Sequence, residues 1–179
     1  VPSFIKQLQM ALPIIVAPDP RLKVKCDELT HVKEEHVRLL DDMLDTMYDA
    51  PGIGLAAPQV GVTKRLIVID VTESDDSRHT YKMINPKITW FSNELSNYEE
   101  GCLSLPKQYA NVIRPEQICV EFLDYEGKLK TIDAKGVLAT CIQHEIDHLD
   151  GTLFVDHITK LRRDLIIRKL KKYKSEKKT

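Results

Sequence analysis

The sequence lacks the cysteine pattern of a disulfide scaffold or a zinc ribbon. Its four cysteines, Cys26, Cys102, Cys119 and Cys141, lie far apart in 179 residues, and no two of them form a CxxC pair. Neither a disulfide framework nor a four-cysteine zinc site fits this spacing. The cysteines are therefore expected to be reduced, intracellular thiols.

Long apolar runs are also missing. The most apolar early stretch, residues 12–17, is short and is interrupted by Pro13, so it is a poor signal peptide and no membrane span. Apolar residues make up 42% of the chain and charged residues 30%, an ordinary globular composition without repeats or low-complexity tracts. We therefore expect a soluble, cytoplasmic protein that makes no contact with a membrane.

The charge is nearly balanced overall, at a net −1, but it is unevenly distributed. Residues 160–179 carry ten Lys and Arg against two acidic residues, a local +8. Apolar side chains recur near helical spacing from residue 158 onward, which predicts a basic C-terminal helix; they are Ile158, Leu161, Leu165, Leu170 and Tyr173. A solvated helix packed on the body and a surface that docks on ribosomal RNA both fit this pattern.

The order of the predicted elements indicates an α+β fold. A helix is predicted over residues 32–47, with Thr30 as its cap, and a second helix over 137–150, ended by Gly151. Between them lie a β-branched run at 65–71, a strand near 82–90 and a hairpin over 118–134. Because the strands are grouped in hairpins between helices, we expect mostly antiparallel strands around the second helix.

The strongest chemical signal is the sequence HEIDH at residues 144–148, inside the second predicted helix. His144 and His148 are four residues apart on one helix face, about 6 Å of rise, so both imidazoles can reach one metal ion. Glu145 is placed to act on a metal-bound water rather than to bind the metal itself. A surface helix that merely carries two histidines among acidic residues is the alternative.

Two histidines leave a metal ion short of a ligand. The HExxHxxGxxH pattern is excluded because Phe154 stands at the position of the third histidine, and the only downstream glutamate, Glu176, lies in the basic tail. Cys141 is about 10 Å of rise from His148, too far for both to bind one ion. The third ligand therefore comes from upstream or from an aspartate such as Asp156.

Two upstream segments are candidates for the rest of the site. Cys102 is expected in a Gly-preceded loop between strands, within EEGCLSLP at residues 99–106, where its thiolate can point inward; a packed thiol is the alternative. Residues 52–61, GIGLAAPQVG, imitate a dinucleotide-binding turn, but a helix precedes them and Pro58 and a strand follow. Their small residues suggest a backbone that lies against substrate or another strand, with Gln59 as an amide donor, or simple close packing.

Taken together, GIGLAAPQ at 52–59, EGCLS at 100–104 and QHEIDH at 143–148 closely resemble the motifs of the peptide deformylase family in order and spacing. The resemblance covers about residues 11–156. It implies a hydrolase that removes the formyl group from the N-terminal formyl-methionine of nascent chains. It also implies one divalent metal ion held by Cys102, His144 and His148, Fe²⁺ in the cell and Zn²⁺, Ni²⁺ or Co²⁺ in the isolated protein.

The same resemblance implies roles for further residues. Glu145 would take a proton from the metal-bound water and deliver it to the leaving amine. The side-chain amide of Gln59 and the backbone N–H of Leu103 would stabilise the oxyanion. Substrates of the family lie extended along residues that correspond here to Ile53, Gly54 and Gly101. The implied methionine pocket is walled by Ile53, Val137, Cys141 and His144. Tyr109 stands where some members have an arginine that contacts substrate.

On this interpretation the chain has three parts. Residues 1–9, which precede Met10, are a cloning remnant or disordered, residues 10–158 are the catalytic domain, and residues 159–179 are a basic helix or tail. A noncatalytic RNA- or ribosome-binding module with a structural zinc is one alternative, although structural zinc normally has four protein ligands and only three are evident. A hydrolase of another small amide is the other.

Overall fold

The computed structural model describes residues 11–72 and 80–178, so the segment predicted as a remnant or disordered lies outside the described residues. The described part contains three α-helices: α1 (Glu34–Asp49), α2 (Gly136–Leu149) and α3 (Lys160–Glu176). Its strands, in chain order, are β1 (Gly54–Ala56), β2 (Leu66–Asp70), β3 (Thr80–Phe91), β4 (Leu95–Cys102), β5 (Leu105–Pro115), β6 (Gln117–Leu123) and β7 (Leu129–Lys135).

The strands form two antiparallel sheets. The larger sheet has the order β1-β2-β3-β6-β7, and β4 and β5 form a separate hairpin. Together with the helices, this arrangement is α+β, as expected from the sequence. No helix in the described ranges is long and apolar enough to cross a membrane.

Strand β2 shows why the sheet lies at the centre of the molecule. Ile67 and Ile69 pack in one apolar cluster with Ile142 of α2, whereas the alternate residues of β2 pack in another cluster with residues of α1. A strand that is covered on both faces reads as a continuous apolar run, which is what residues 66–69 show. The larger sheet is therefore held between α1 and α2, and this fixes the position of α2.

Two local predictions are wrong. Lys33, not Thr30, is the N-cap of α1, because the helix begins only at Glu34. Cys102 is not in a loop but is the last residue of β4. Polar residues occupy most of β4, so the strand lacks the alternation of apolar and polar residues that predicts a half-buried strand.

Helix α3 packs on the body through only part of the predicted stripe. Leu170 is buried as expected, together with Ile166, which was not predicted, whereas Leu161 is 72% exposed and Leu165 is 44% exposed. Further along the helix, Lys174 Nζ donates hydrogen bonds to two backbone carbonyls of the segment before α1. The basic helix is thus docked on the body, with most of its lysines and arginines exposed.

Candidate metal centre

Helix α2 and the end of strand β4 bring three ligand-type side chains together. The ligand atoms of Cys102, His144 and His148 all lie within 4.8 Å of one another, and Cys102 Sγ is 3.3 Å from His148 Nε2. Sulfur and nitrogen ligands of one tetrahedral Zn²⁺ are separated by roughly 3.6 Å, from bond lengths of about 2.3 and 2.1 Å. No other such group of three occurs in the described part of the chain.

The surroundings of the three side chains suit a metal ion. Both histidines are buried, and His144 Nδ1 donates to Glu100 Oε1 at 2.8 Å, which leaves its Nε2 for a ligand. A carboxylate that orients a ligating histidine in this way is the usual outer partner of a metal site. One thiol and two imidazoles are a borderline-soft donor set that fits a divalent transition metal or zinc.

The two histidines have opposite pKa shifts. Burial lowers the pKa of His148 well below its ordinary value, so its imidazole is neutral, as ligation requires. Burial acts in the same direction on His144, but hydrogen bonds with Cys102 and Glu100 outweigh it and raise the pKa of His144 well above its ordinary value. A metal cation that binds the His144 imidazole would therefore displace a proton from it.

A buried network of charges holds Glu100 in place. Arg114 donates to both oxygens of Glu100, at 2.7 and 2.9 Å, and also to Asp147 at 2.8 Å. Asp147 in turn contacts His157 Nε2 at 2.7 Å. Burial alone would raise the pKa of Glu100, but the hydrogen bonds from His144 and Arg114 hold it at about 2. Glu100 is therefore ionised, and it fixes the imidazole of His144.

Glu145 lies beside the three ligand-type side chains as an unpaired buried carboxyl group. Its Oε2 has no hydrogen-bond partner among the described residues, and burial raises its pKa to about 7. Gly54 of β1 makes room for it, since a Cβ on Gly54 would lie 2.5 Å from Glu145 Oε1. A carboxyl group with a pKa near neutrality can both accept and donate a proton.

Gln59 is the other polar side chain aimed at this centre. Its Oε1 accepts a hydrogen bond from the backbone N–H of Ala56 at 2.9 Å, which fixes the orientation of the amide. Its Nε2 donates to Ser104 Oγ at 3.0 Å and to Cys102 Sγ at 3.4 Å. The buried amide therefore presents N–H groups, not its carbonyl, to the centre. Leu103 follows Cys102 in the turn between β4 and β5.

Cys102, His144 and Glu145 line an open cavity of about 910 Å³. All five residues predicted to bind substrate line it: Ile53, Gly54, Gly101, Val137 and Cys141. Tyr109 also lines the cavity and packs on Gly101, where an added Cβ would be 2.6 Å from the tyrosine ring. Further lining residues were missed in the sequence: Tyr98, Thr140, Tyr173 and Lys177. The last two come from the end of α3, which no sequence motif connects to the site.

The other candidate ligands lie elsewhere. Asp156 does not join the group, because its carboxylate accepts hydrogen bonds from Lys23 and Arg163. Cys141 faces the cavity from α2, and its thiol donates to the carbonyl of Ile53 at 3.6 Å. Cys26 is buried in the core cluster below the larger sheet.

A thiol from the end of β4 and two histidines from an HExxH helix, gathered beside a buried carboxyl group at an open cavity, are the arrangement expected of an HExxH metalloenzyme. The sequence model of the family described as polypeptide deformylase matches residues 11–164. The peptide deformylase of Rhizobium meliloti (strain 1021) is 54% identical over 160 residues, which cover 89% of this chain and 92% of that protein.

Solved structures agree with the sequence comparison. The crystal structure of peptide deformylase from Ehrlichia chaffeensis has a TM-score of 0.90 and 42% identity, covering 95% of this chain and 100% of that one. The structure of peptide deformylase from the same organism in complex with actinonin has a TM-score of 0.88 and 44% identity, covering 91% and 97%. The chain therefore belongs to the polypeptide deformylase family, whose enzymes remove the N-terminal formyl group from nascent peptides. The resemblance inferred from the three motifs is confirmed.

Proposed function

We propose that this enzyme hydrolyses the formyl group of N-terminal formyl-methionine on nascent polypeptides, with one divalent metal ion held by Cys102, His144 and His148. The observation that carries the proposal is the meeting of these three side chains beside the unpaired carboxyl group of Glu145. Fe²⁺ is the proposed ion in the cell, and Zn²⁺, Ni²⁺ or Co²⁺ suit the same donor set. When bound, such an ion polarises a carbonyl oxygen and lowers the pKa of water.

Glu145 is the proposed general base and acid. Its carboxylate accepts a proton from the water that attacks the formyl carbon, and the new carbon–oxygen bond forms. It then gives that proton to the leaving amine as the carbon–nitrogen bond breaks, so formate and a free N-terminus are released. A pKa of about 7 suits both transfers.

Gln59 and Leu103 are the proposed donors to the oxyanion. The amide of Gln59 is held by Ala56 and Ser104 with its N–H groups toward Cys102, so it needs no reorganisation when charge develops. The backbone N–H of Leu103 would supply a second donor from the turn between β4 and β5. Both groups neutralise charge on the former formyl oxygen.

The substrate is proposed to lie extended beside Ile53, Gly54 and Gly101, with the methionine side chain against Val137 and Cys141. All five residues line the same cavity, and small residues at 54 and 101 allow another backbone to approach closely. Because the proposed substrates are nascent chains, we place the reaction in the cytoplasm.

Formate release from formyl-Met-Ala-Ser by protein loaded with Fe²⁺ or Co²⁺ tests this function, with the acetylated peptide as the matched control. We expect formate from the formylated peptide and little hydrolysis of the acetylated one, because an extra methyl group has to fit beside the buried centre. Inactivity at full metal occupancy would favour a noncatalytic metal-binding module. Equal turnover of both peptides would favour a broader amide hydrolase.

We also propose that α3 docks on ribosomal RNA through its exposed basic side chains. Lys169 and Lys172 lie on the exposed side of the helix, away from the buried Ile166 and Leu170. Replacing both lysines by glutamate should weaken ribosome binding and its dependence on salt without removing the packed residues. Turnover of formyl-Met-Ala-Ser should stay near the wild-type value. Unchanged ribosome binding would contradict the proposed contact.

A further inference from the structure

One wall of the cavity is a single face of α2. Val137, Thr140, Cys141 and His144 all line it, at the spacing of residues that share a helix face. Three of these four residues were expected from the family motifs, and Thr140 was not. It lies at the centre of the face, four residues before His144.

Thr140 carries a buried hydroxyl group that forms no hydrogen bond with another described residue. The residue is 8% exposed, and its Oγ1 has no hydrogen-bond partner in the described ranges 11–72 and 80–178. A threonine inside a helix commonly bonds the carbonyl four residues before it, but this one does not. An unpaired buried hydroxyl group is destabilising, so a partner supplied by a ligand would be favourable.

A second hydroxyl group belongs to another residue that lines the cavity. Tyr98 lines the same cavity from β4, on the strand face that also carries Glu100. Its Oη lies 3.8 Å from where a Cβ on Gly136 would be, so the ring reaches the first turn of α2. The part of the cavity between β4 and the start of α2 is thus bordered by two hydroxyl-bearing side chains and is not wholly apolar.

Building on the proposed function, we propose that Thr140 determines specificity for the N-terminal side chain by donating a hydrogen bond to it, so that the enzyme also accepts formyl-methionine sulfoxide. Oxidation turns the thioether of methionine into a polar sulfoxide, whose oxygen accepts hydrogen bonds strongly. An unpaired sulfoxide in an apolar pocket would lose its hydration without compensation. Pairing it with Thr140 satisfies both groups at once.

The experiment compares kcat/KM for formyl-Met-Ala-Ser, its sulfoxide and its norleucine analogue in wild type, Thr140→Val and Thr140→Ser. Valine replaces only the hydroxyl group by a methyl group, and serine keeps the hydroxyl group. We expect Thr140→Val to lower the sulfoxide-to-norleucine ratio by roughly 2- to 12-fold, the worth of one neutral hydrogen bond. Thr140→Ser should keep the wild-type ratio. Thr89→Val, at an exposed position of β3 outside the cavity, is the matched control.

Thermal unfolding separates specificity from packing. Thr140→Val should not lower Tm, because the hydroxyl group has no bond to lose in the free enzyme. A lower Tm with the same loss on all three peptides would make Thr140 a packing residue and overturn the proposal. A ratio unchanged by Thr140→Val, or a wild type that hydrolyses only the unoxidised peptides, would overturn it too. If formyl-Met-Ala-Ser itself is not hydrolysed at full metal occupancy, the proposed function fails as well.

Discussion

Replacing Arg114 by methionine should destabilise the fold more than any exposed charge change. The side chain is buried and donates three hydrogen bonds, two to Glu100 and one to Asp147. Methionine has a similar length but offers no donor. The variant would leave the Glu100 carboxylate buried beside His144 without its guanidinium partner, and the pKa of Glu100 would rise.

The size of the effect follows from the burial of the pair. Both side chains of the Arg114–Glu100 ion pair are about 5% exposed, so solvent screens neither of them. Removing one partner of a buried pair costs about 3–5 kcal/mol. With a urea dependence of about 2 kcal/mol per molar, the midpoint of unfolding should fall by roughly 1.5–2.5 M.

Urea unfolding of the metal-free protein measures this effect, and chelator competition measures metal affinity. We expect affinity to fall by about 10- to 100-fold, because Glu100 no longer fixes His144. The double variant Arg114→Met/Glu100→Gln should recover part of the stability, since position 100 no longer carries a buried unpaired charge, whereas Asp147 still lacks its bond from Arg114. Arg38→Met, which removes only an exposed pair on α1, is the control and should cost less than about 1 kcal/mol. A loss below that value for Arg114→Met would refute the reasoning.

Three other substitutions test single roles in the site. Glu145→Gln should keep the metal but lower kcat by about 10²- to 10⁴-fold, because proton transfer needs a carboxylate; near-full activity of the metal-loaded variant would refute this role. Cys102→Ser should weaken metal binding measured by chelator competition, whereas Cys26→Ser should not, and equal losses would contradict the ligand assignment. Gly54→Ala should lower kcat at unchanged metal content, because its Cβ would lie 2.5 Å from Glu145 Oε1 and displace that carboxyl group; wild-type kcat would show that the carboxyl group can move without penalty.

The sequence predicted the elements whose residues show a clear local pattern, either the spacing of ligand-type side chains or a run of apolar ones. The helical spacing of His144 and His148 placed two ligand-type side chains on one face of α2, and the apolar run at 66–69 predicted a buried strand. Strand β4 was missed because polar residues fill it, and its pairing with β5 depends on contacts that no local pattern reveals. The hydrogen-bond network behind His144, formed by Glu100, Arg114 and Asp147, was missed for the same reason. Arg114 lies opposite Ser96, and only the hairpin register brings its long side chain along the strand face to Glu100.

The C-terminal helix shows a different limit. Its apolar residues fit more than one helical stripe. The predicted stripe includes Leu170, which is buried, but also Leu161 and Leu165, which the structure leaves exposed. The stripe that packs is decided by the surface opposite it, formed by residues such as Phe154 and Val112. That surface does not exist until the rest of the chain has folded. Local periodicity therefore predicted the helix but only part of the face that it buries.

The three ligand-type side chains come from separate elements of the fold, and this links metal binding to folding. Cys102 lies at the turn of the β4–β5 hairpin, and the two histidines lie on α2. In an unfolded chain Cys102 is therefore more than 40 residues along the sequence from either histidine. Only the native arrangement gathers them, and a cation that prefers this arrangement shifts the folding equilibrium. At a free ion concentration of about 1,000 times Kd, the gain is about 4 kcal/mol. A chain that opens at the hairpin would release its ion, so the rate of ion exchange would report how often β4 leaves α2.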